Sequence, residues 1–382
     1  MRILIAPDKF KGSLESVEVA RAIERGIKRA LPDAETYLSP MADGGEGTVD
    51  ALVAATGGRI VYCEVTGPLG EPVKAFYGLL SSSSSSLPPR PSKVVLEMSA
   101  ASGLHLIPPE KRNPLLTTTY GTGELIEAAL DHDPIEIIVG IGGSGTVDGG
   151  MGMAQALGVT FFDEKGRELG FGGQELERIY AMDMSGLDSR IVKTKMLVAC
   201  DVKNPLFGPS GAAYVYGPQK GATPEMVERL DGGLRNYARV IKDQLGKEVG
   251  NVPGSGAAGG LGAGLIAFLD AELKSGTGLV IEATDLEHKI AEADFVITGE
   301  GKIDAQTVFG KAPVGVAGPA KLKGIPVYAV CGQEGEGAEE VYRHGITKIF
   351  SISDIAKSSK DSFENAAYYV ELIAEKLAKE LV

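Results

Sequence analysis

A chain of 382 residues is long enough for two domains, and its formal charge of −13 argues against nucleic acid or an anionic membrane as partner. Glycine accounts for 52 residues, about twice the usual fraction and without a collagen period, so several loops are expected where backbone approaches a ligand. Cys63, Cys200 and Cys331 lie far apart, with neither a zinc spacing nor a disulfide framework, which fits a reducing cytoplasm. The apolar run at the N-terminus is too short for a signal peptide.

Residues 2–6 read as a short buried strand that stops at Pro7. Asp8, Lys9, Lys11, Gly12 and Ser13 follow, with Ser13 expected to cap a helix whose apolar stripe is Val17, Ala20, Ile23 and Ile27. Charged groups between a buried strand and a helix start occupy the place where open α/β sheets bind ligands, and lysines with free N–H groups there suit an anion such as phosphate. A surface loop with solvated charges has the same composition.

A second such unit has a strand at 35–39, a loop at 40–48 and a helix at 49–55. In that loop Asp43 and Glu46 are hard oxygen donors able to hold Mg²⁺ through water, although Asp43 can equally serve as a turn cap. From 59 to 80 the apolar period changes to two around Gly67, Pro68, Leu69 and Gly70, which predicts a hairpin and an inserted domain starting near residue 60. The run Ser81 to Ser86 reads as a surface tip without function.

Strands are expected at 94–98, 135–139 and 196–199. Arg112 precedes a stretch with Thr117, Thr118 and Thr119, where Arg112 can clamp a carboxylate and the hydroxyls can either bind an anion or cap the next helix. The strand at 135–139 runs into Gly140-x-Gly142-x-x-Gly145, a dinucleotide fingerprint with Asp163 downstream and Ser144 inside it. Gly254-x-Gly256-x-x-Gly259 matches the same pattern, so the motif is cheap in this chain. Asp201 and Asn204 supply oxygen atoms after another strand, and Thr223 with Pro224 marks a helix start. Residues 252–269 carry no charge, but Pro253 and the many glycines leave too little hydrophobicity for a membrane span.

The last third returns to strand–helix alternation, with a strand at 295–298 and a loop at 299–307 that holds Glu300, Lys302, Asp304, Gln306 and Thr307. Strands at 327–330 and 349–352 and a closing helix at 366–381 follow. There is no Walker A sequence, since Ala312 follows Lys311 where Ser or Thr is needed, and His105, His132, His288 and His344 fall outside the glycine-rich loops.

These loops together resemble the bacterial class I glycerate kinases. The resemblance is carried by 6–14, by 41–48, by Arg112-Asn113-Pro114 with 117–121, by Asp201-x-x-Asn204-Pro205-Leu206, by 217–222, and by Gly299-Glu300-Gly301-x-x-Asp304-x-Gln306-Thr307, in order along essentially the whole chain. It implies ATP- and Mg²⁺-dependent phosphorylation of D-glycerate, chiefly to 2-phosphoglycerate, by two α/β domains, one of them flavodoxin-like, with the site in the cleft between them. The chain departs from the family's usual pattern at Lys9, where Ser is common, and at Gly145 and Val147, where Ala and Asn are common.

The reading is therefore a doubly wound α/β domain made of 1–60 with 290–382 and an inserted α/β substrate domain at 61–289. Lys11 and Lys302 are expected at phosphate oxygens, Asp8 as acceptor of the glycerate hydroxyl proton, and Arg112 on the glycerate carboxylate. Asp201, Asp43 and Glu46 are expected around Mg²⁺. Ser13, Ser144, Glu300, Asp304, Gln306 and Thr307 are expected to line the substrate and phosphates. The expected enzyme is cytoplasmic, monomeric or homodimeric, with no nucleic-acid or membrane partner. A dinucleotide-dependent oxidoreductase and a non-catalytic two-domain binding protein are the alternatives.

Overall fold

The computed structural model describes residues 1–81 and 93–381. The serine run, apart from Ser81, lies outside the described residues. In chain order the strands are β1 (Arg2–Pro7), β2 (Glu35–Leu38), β3 (Arg59–Thr66), β4 (Pro72–Leu80), β5 (Lys93–Glu97), β6 (Glu136–Gly140) and β7 (Thr160–Phe162). Then come β8 (Ala181–Asp183), β9 (Lys195–Ala199), β10 (Glu272–Lys274), β11 (Phe295–Ile303), β12 (Val327–Glu334) and β13 (Ile346–Ser351). The chain divides into two compact units, one of Met1–Asp43, Asp50–Gly58 and Thr277–Val382, the other of Gly44–Val49 and Arg59–Gly276.

The first unit is a five-stranded sheet in the order β13-β12-β11-β1-β2, parallel throughout. Its central strands β1 and β11 are apolar on both faces, as a parallel sheet covered by helices requires, and Ile3, Leu4, Ile5, Val296 and Ile297 are fully buried. One face is covered by the helices Ser16–Ala30 and Ala366–Glu380. They cross very closely at Gly26, where an added Cβ would stand 2.2 Å from the carbonyl oxygen of Glu371. Glu371 is held there by Arg25 at 3.1 Å and by Arg29.

Two local expectations change. The first helix starts at Ser16, after Glu15 and Glu18 close a capping box, so Ser13 is not its cap. Ser13 instead donates its hydroxyl to the Phe363 carbonyl at 2.8 Å. The buried stripe also shifts, with Val19 inside and Val17 half-buried. Second, β11 continues to Ile303 because β12 pairs with it as far as Ile303 opposite Glu334. Glu300 and Lys302 are thus strand residues; the glycines at 299 and 301 imitate a turn in sequence while the backbone stays extended.

The second unit is built on a six-stranded sheet in the order β10-β9-β6-β5-β4-β3. The hairpin β3–β4 and the pair β4–β5 are antiparallel, while β5, β6, β9 and β10 run parallel. The strands near 94–98 and 135–139 therefore both belong to this sheet. A two-stranded ribbon, β7–β8, lies apart from it in the same unit. The glycine-rich stretch after residue 252 enters the helix Leu261–Leu269, and among the described residues no helix is long and apolar enough to cross a membrane.

The fingerprint glycines do not open a helix directly, because the next helix is Met151–Ala156. They serve close packing: a Cβ on Gly142 would meet the Cα of Gly45 at 2.6 Å. Asp163 is likewise taken up locally. It accepts from the amides of Lys165 and Arg167 at 2.9 and 3.0 Å, and the Arg167 guanidinium closes on it at 2.8 Å. These contacts, with the Arg167 amide first, hold its carboxyl down to about 2.

Candidate active site

In the first unit β1 and β11 are parallel neighbours with Pro7 opposite Gly299, so their C-terminal ends reach the same edge of the sheet. The backbone joins them once more at Asp8, whose amide donates to the Gly299 carbonyl at 2.8 Å. Asp8 then turns its carboxylate back onto the Lys9 amide at 2.7 Å. Burial, followed by repulsion from Asp43, pushes the Asp8 carboxyl up to about 7, against the pull of the Lys9 amide and ammonium; Glu300 adds to the rise. Lys9 reaches Asp43 at 3.8 Å. An acid that titrates near neutrality is fitted to take or give a proton under physiological conditions.

Beyond Asp8 the residues expected at 299–307 form one connected group. Glu300 is buried, accepts the Thr307 hydroxyl, and lies 3.5 Å from the Lys311 ammonium. Burial raises its pKa, with Thr307 and Lys311 opposing. Thr307 accepts the Asp304 amide at 3.1 Å, and Asp304 accepts the Gln306 amide at 2.9 Å. Lys302 extends from the strand to Asp304 at 3.1 Å. Lys11 is exposed on the neighbouring loop. Lys311 was missed by sequence reasoning, which weighed it only as part of a failed Walker A motif; its place one residue after Gly310 at a helix start was the available signal.

In the second unit the Thr-rich segment turns inward. Asp148 has no exposed surface and accepts from the Thr119 amide at 2.7 Å, the Thr119 hydroxyl at 2.8 Å, and the amides of Gly150 and Gly152 at 3.2 and 3.3 Å. Burial raises its pKa against those four donors. Thr117 donates to the Gly145 carbonyl at 3.1 Å. At least two of the expected anion-binding hydroxyls are therefore used in holding the loop 144–152 to the segment 117–119.

Lys220, also missed, is buried and donates to the Ser144 hydroxyl at 2.8 Å and the Thr146 carbonyl at 2.7 Å. Burial pulls its pKa down to about 7, with the Asp148 charge opposing. Arg112 lies beside Gly221 and has its Nε buried without a partner among the described residues. Asp201 accepts the Gly276 amide at 3.0 Å after β9, and Asn204 is spent between the Ser210 carbonyl and the Tyr216 hydroxyl. Glu46 stands 3.5 Å from His105, so one histidine does approach a candidate loop. Among the described residues no group of three metal-ligating side chains is assembled.

A half-buried acid raised towards neutrality beside Lys9, at the carboxyl edge of a parallel sheet, lies where α/β enzymes place their ligands. Comparison with known proteins specifies the class. The chain belongs to the glycerate kinase family, whose model matches residues 3–382. It is 52% identical to the glycerate kinase of Bacillus subtilis (strain 168), covering 99% of this chain and 97% of that protein. It is 49% identical to the glycerate 2-kinase of Escherichia coli (strain K12), covering 96% and 94%. A crystal structure from Salmonella typhimurium LT2 superimposes with a TM-score of 0.88 at 49% identity, covering 100% of this chain and 98% of that one.

Proposed function

We infer that the protein is a glycerate kinase that transfers a phosphoryl group from ATP to D-glycerate and releases 2-phosphoglycerate. The family membership across the whole chain supports the activity, and the likeness to a glycerate 2-kinase supports the product. The observation in the molecule that carries the chemistry is Asp8. Phosphoryl transfer asks little covalent chemistry of a protein; it needs positioning, charge neutralisation and a group that orients the attacking hydroxyl. Asp8, with its carboxyl near 7, accepts the proton of the glycerate hydroxyl as the hydroxyl attacks.

Lys11 and Lys302 neutralise phosphate oxygens, and Glu300, Asp304, Gln306 and Thr307 set the position of Lys302 through the turn they share. Ser13 is engaged with Phe363 and contributes to the shape of the loop. Arg112, with an unsatisfied buried Nε, takes the glycerate carboxylate. Asp43, Glu46 and Asp201 are hard carboxylate donors that would hold Mg²⁺, directly or through water, and the ion would neutralise phosphate charge. The strand order of the first unit, 2-1-3-4-5 when its strands are counted alone, supports a flavodoxin-like reading, and we take the two units as two domains. The free thiols accord with a cytoplasmic location.

Thermal unfolding tests this function against the dinucleotide alternative. ATP with Mg²⁺ and D-glycerate should raise Tm, as ligands selective for the native state do. Stabilisation by NAD(P) alone, together with oxidation of a hydroxy acid, would overturn it.

A further inference from the structure

Lys220 is used by none of these roles, and its surroundings are unusual. It ends the short 3₁₀ turn Pro218–Lys220, and Gly221 then adopts a left-handed conformation against the backbone of Arg112. The side chain is 2% exposed. Its two partners, Ser144 and Thr146, lie in the loop after β6. That loop is held from another side by Thr117 on the Gly145 carbonyl and by Thr119 on Asp148. Three segments thus meet at residues 112–119, 144–148 and 220–221. Two polar atoms on them, Thr146 Oγ1 and Arg112 Nε, are buried without a partner among the described residues. Unpaired buried polar atoms are costly, and they are expected where a ligand completes the bonding.

The hydrogen-bond arithmetic at Ser144 gives Lys220 a task. A serine hydroxyl carries one proton and two acceptor sites. An ammonium can only donate, so Lys220 fills an acceptor site of Ser144 and Ser144 keeps its own proton for donation. The Thr146 amide donates to the other acceptor site of Ser144 at 3.4 Å, and the Ser144 proton is donated to the Thr146 carbonyl in an equally long bond of 3.4 Å, a carbonyl that also receives Lys220 at 2.7 Å. Ser144 accordingly has both acceptor sites filled and its proton in a long bond, which a closer oxyanion can take over.

We propose that Lys220 is a positioning residue that orients the Ser144 hydroxyl to donate to an oxyanion of the bound substrates, the carboxylate of glycerate or a phosphate of ATP. The inference rests on the reading of the protein as a glycerate kinase. A buried ammonium whose pKa has been pulled towards neutrality is a poor choice for a purely mechanical link, which a neutral donor would provide at less cost. An oxyanion on Ser144 returns negative charge to its vicinity and favours the charged form.

The test is a double-mutant cycle of Ser144→Ala and Lys220→Met, read as separate KM values for glycerate and ATP and as kcat. Ser144→Ala removes one donor to a charged group and should raise the KM of one substrate roughly 10–100-fold. A rise for glycerate identifies the carboxylate as the ligand, and a rise for ATP identifies a phosphate. Lys220→Met should raise the KM of the same substrate, and the double variant should be no worse than Ser144→Ala alone, because Lys220 acts through Ser144. Unchanged KM values in Ser144→Ala, in enzyme that still phosphorylates glycerate, would overturn the proposal while leaving the function standing. Where Lys220→Met does not fold, Lys220→Gln takes its place in the cycle under the same criterion of non-additivity. Independent, multiplying effects of the two substitutions would also overturn it.

Discussion

The carboxyl edge of the first sheet and the buried loop of the second unit solve the problem of holding charge in different ways. At the edge, charges pair with one another while partly in water: Lys302 with Asp304, and Lys9 with Asp43, where the carboxylate is half exposed. Asp8 is the exception, with burial and neighbouring carboxylates bringing its proton into the neutral range. In the loop around Asp148 no such solvent sharing occurs. The carboxylate is enclosed by four donors and the Lys220 ammonium by two acceptors. The edge keeps its charges within reach of solvent, and the loop fixes geometry. Screened, exposed pairs contribute little to stability, whereas breaking a buried network leaves a costly unpaired group.

Substitution at Asp8 should give the largest effect. Asp8→Asn is expected to lower kcat roughly 10²–10⁴-fold, the scale of a lost general base. In the unsubstituted enzyme kcat/KM should rise with pH through about 7 as Asp8 loses its proton. Stability should run the opposite way. The folded carboxyl titrates near 7 and the unfolded one near 3.8, so the native state binds the extra proton between them and loses stability as pH rises through that window. Asp8→Asn should therefore be more stable than the parent at pH 8, by up to about 4 kcal/mol on the pKa arithmetic. Urea titrations at pH 5 and pH 8 measure this, and equal stability of the two proteins at pH 8 contradicts the raised acid.

Next in size, Lys11→Ala and Lys302→Ala should each fold normally and lose roughly 10²–10³-fold in kcat/KM, the scale of one removed charge-stabilising donor. Circular dichroism serves as the folding control, and near-parental kinetics for both would remove them from the phosphate site. A structural change of different kind is expected at Gly26. Ala there has to displace the Glu371 backbone and should destabilise by about 1–3 kcal/mol, outweighing the helix propensity it gains. The smallest effect belongs to the serine run. Leu80 and Lys93 are already paired across β4 and β5, so shortening the connection should change turnover little and stability by only a few tenths of a kcal/mol. A large loss of turnover in a folded deletion would assign that segment a role.

The same contrast explains what could be read from sequence. The parallel strands were legible because they are short apolar runs, and the hairpin because its period is two. The glycine-rich charged loops were legible as places, since they follow buried strands. Their internal roles were not. Ser13 looks like a cap, but two glutamates three residues apart compete for the helix start and win. Gly299 and Gly301 look like a turn, but strand pairing with β12 overrides them. Thr119 and Asp148 are 29 residues apart and Lys220 and Ser144 are 76 apart, so no local pattern announces their bonds. The family resemblance found the motif around Lys220 without revealing that its side chain is buried.

The most direct test is the product itself. Incubation of the purified protein with ATP, Mg²⁺ and D-glycerate should yield, by ³¹P NMR with proton coupling, a phosphate ester attached at the C2 position of glycerate, in an amount matching the ADP formed. Absence of any phosphorylated glycerate while the protein remains folded would contradict the account.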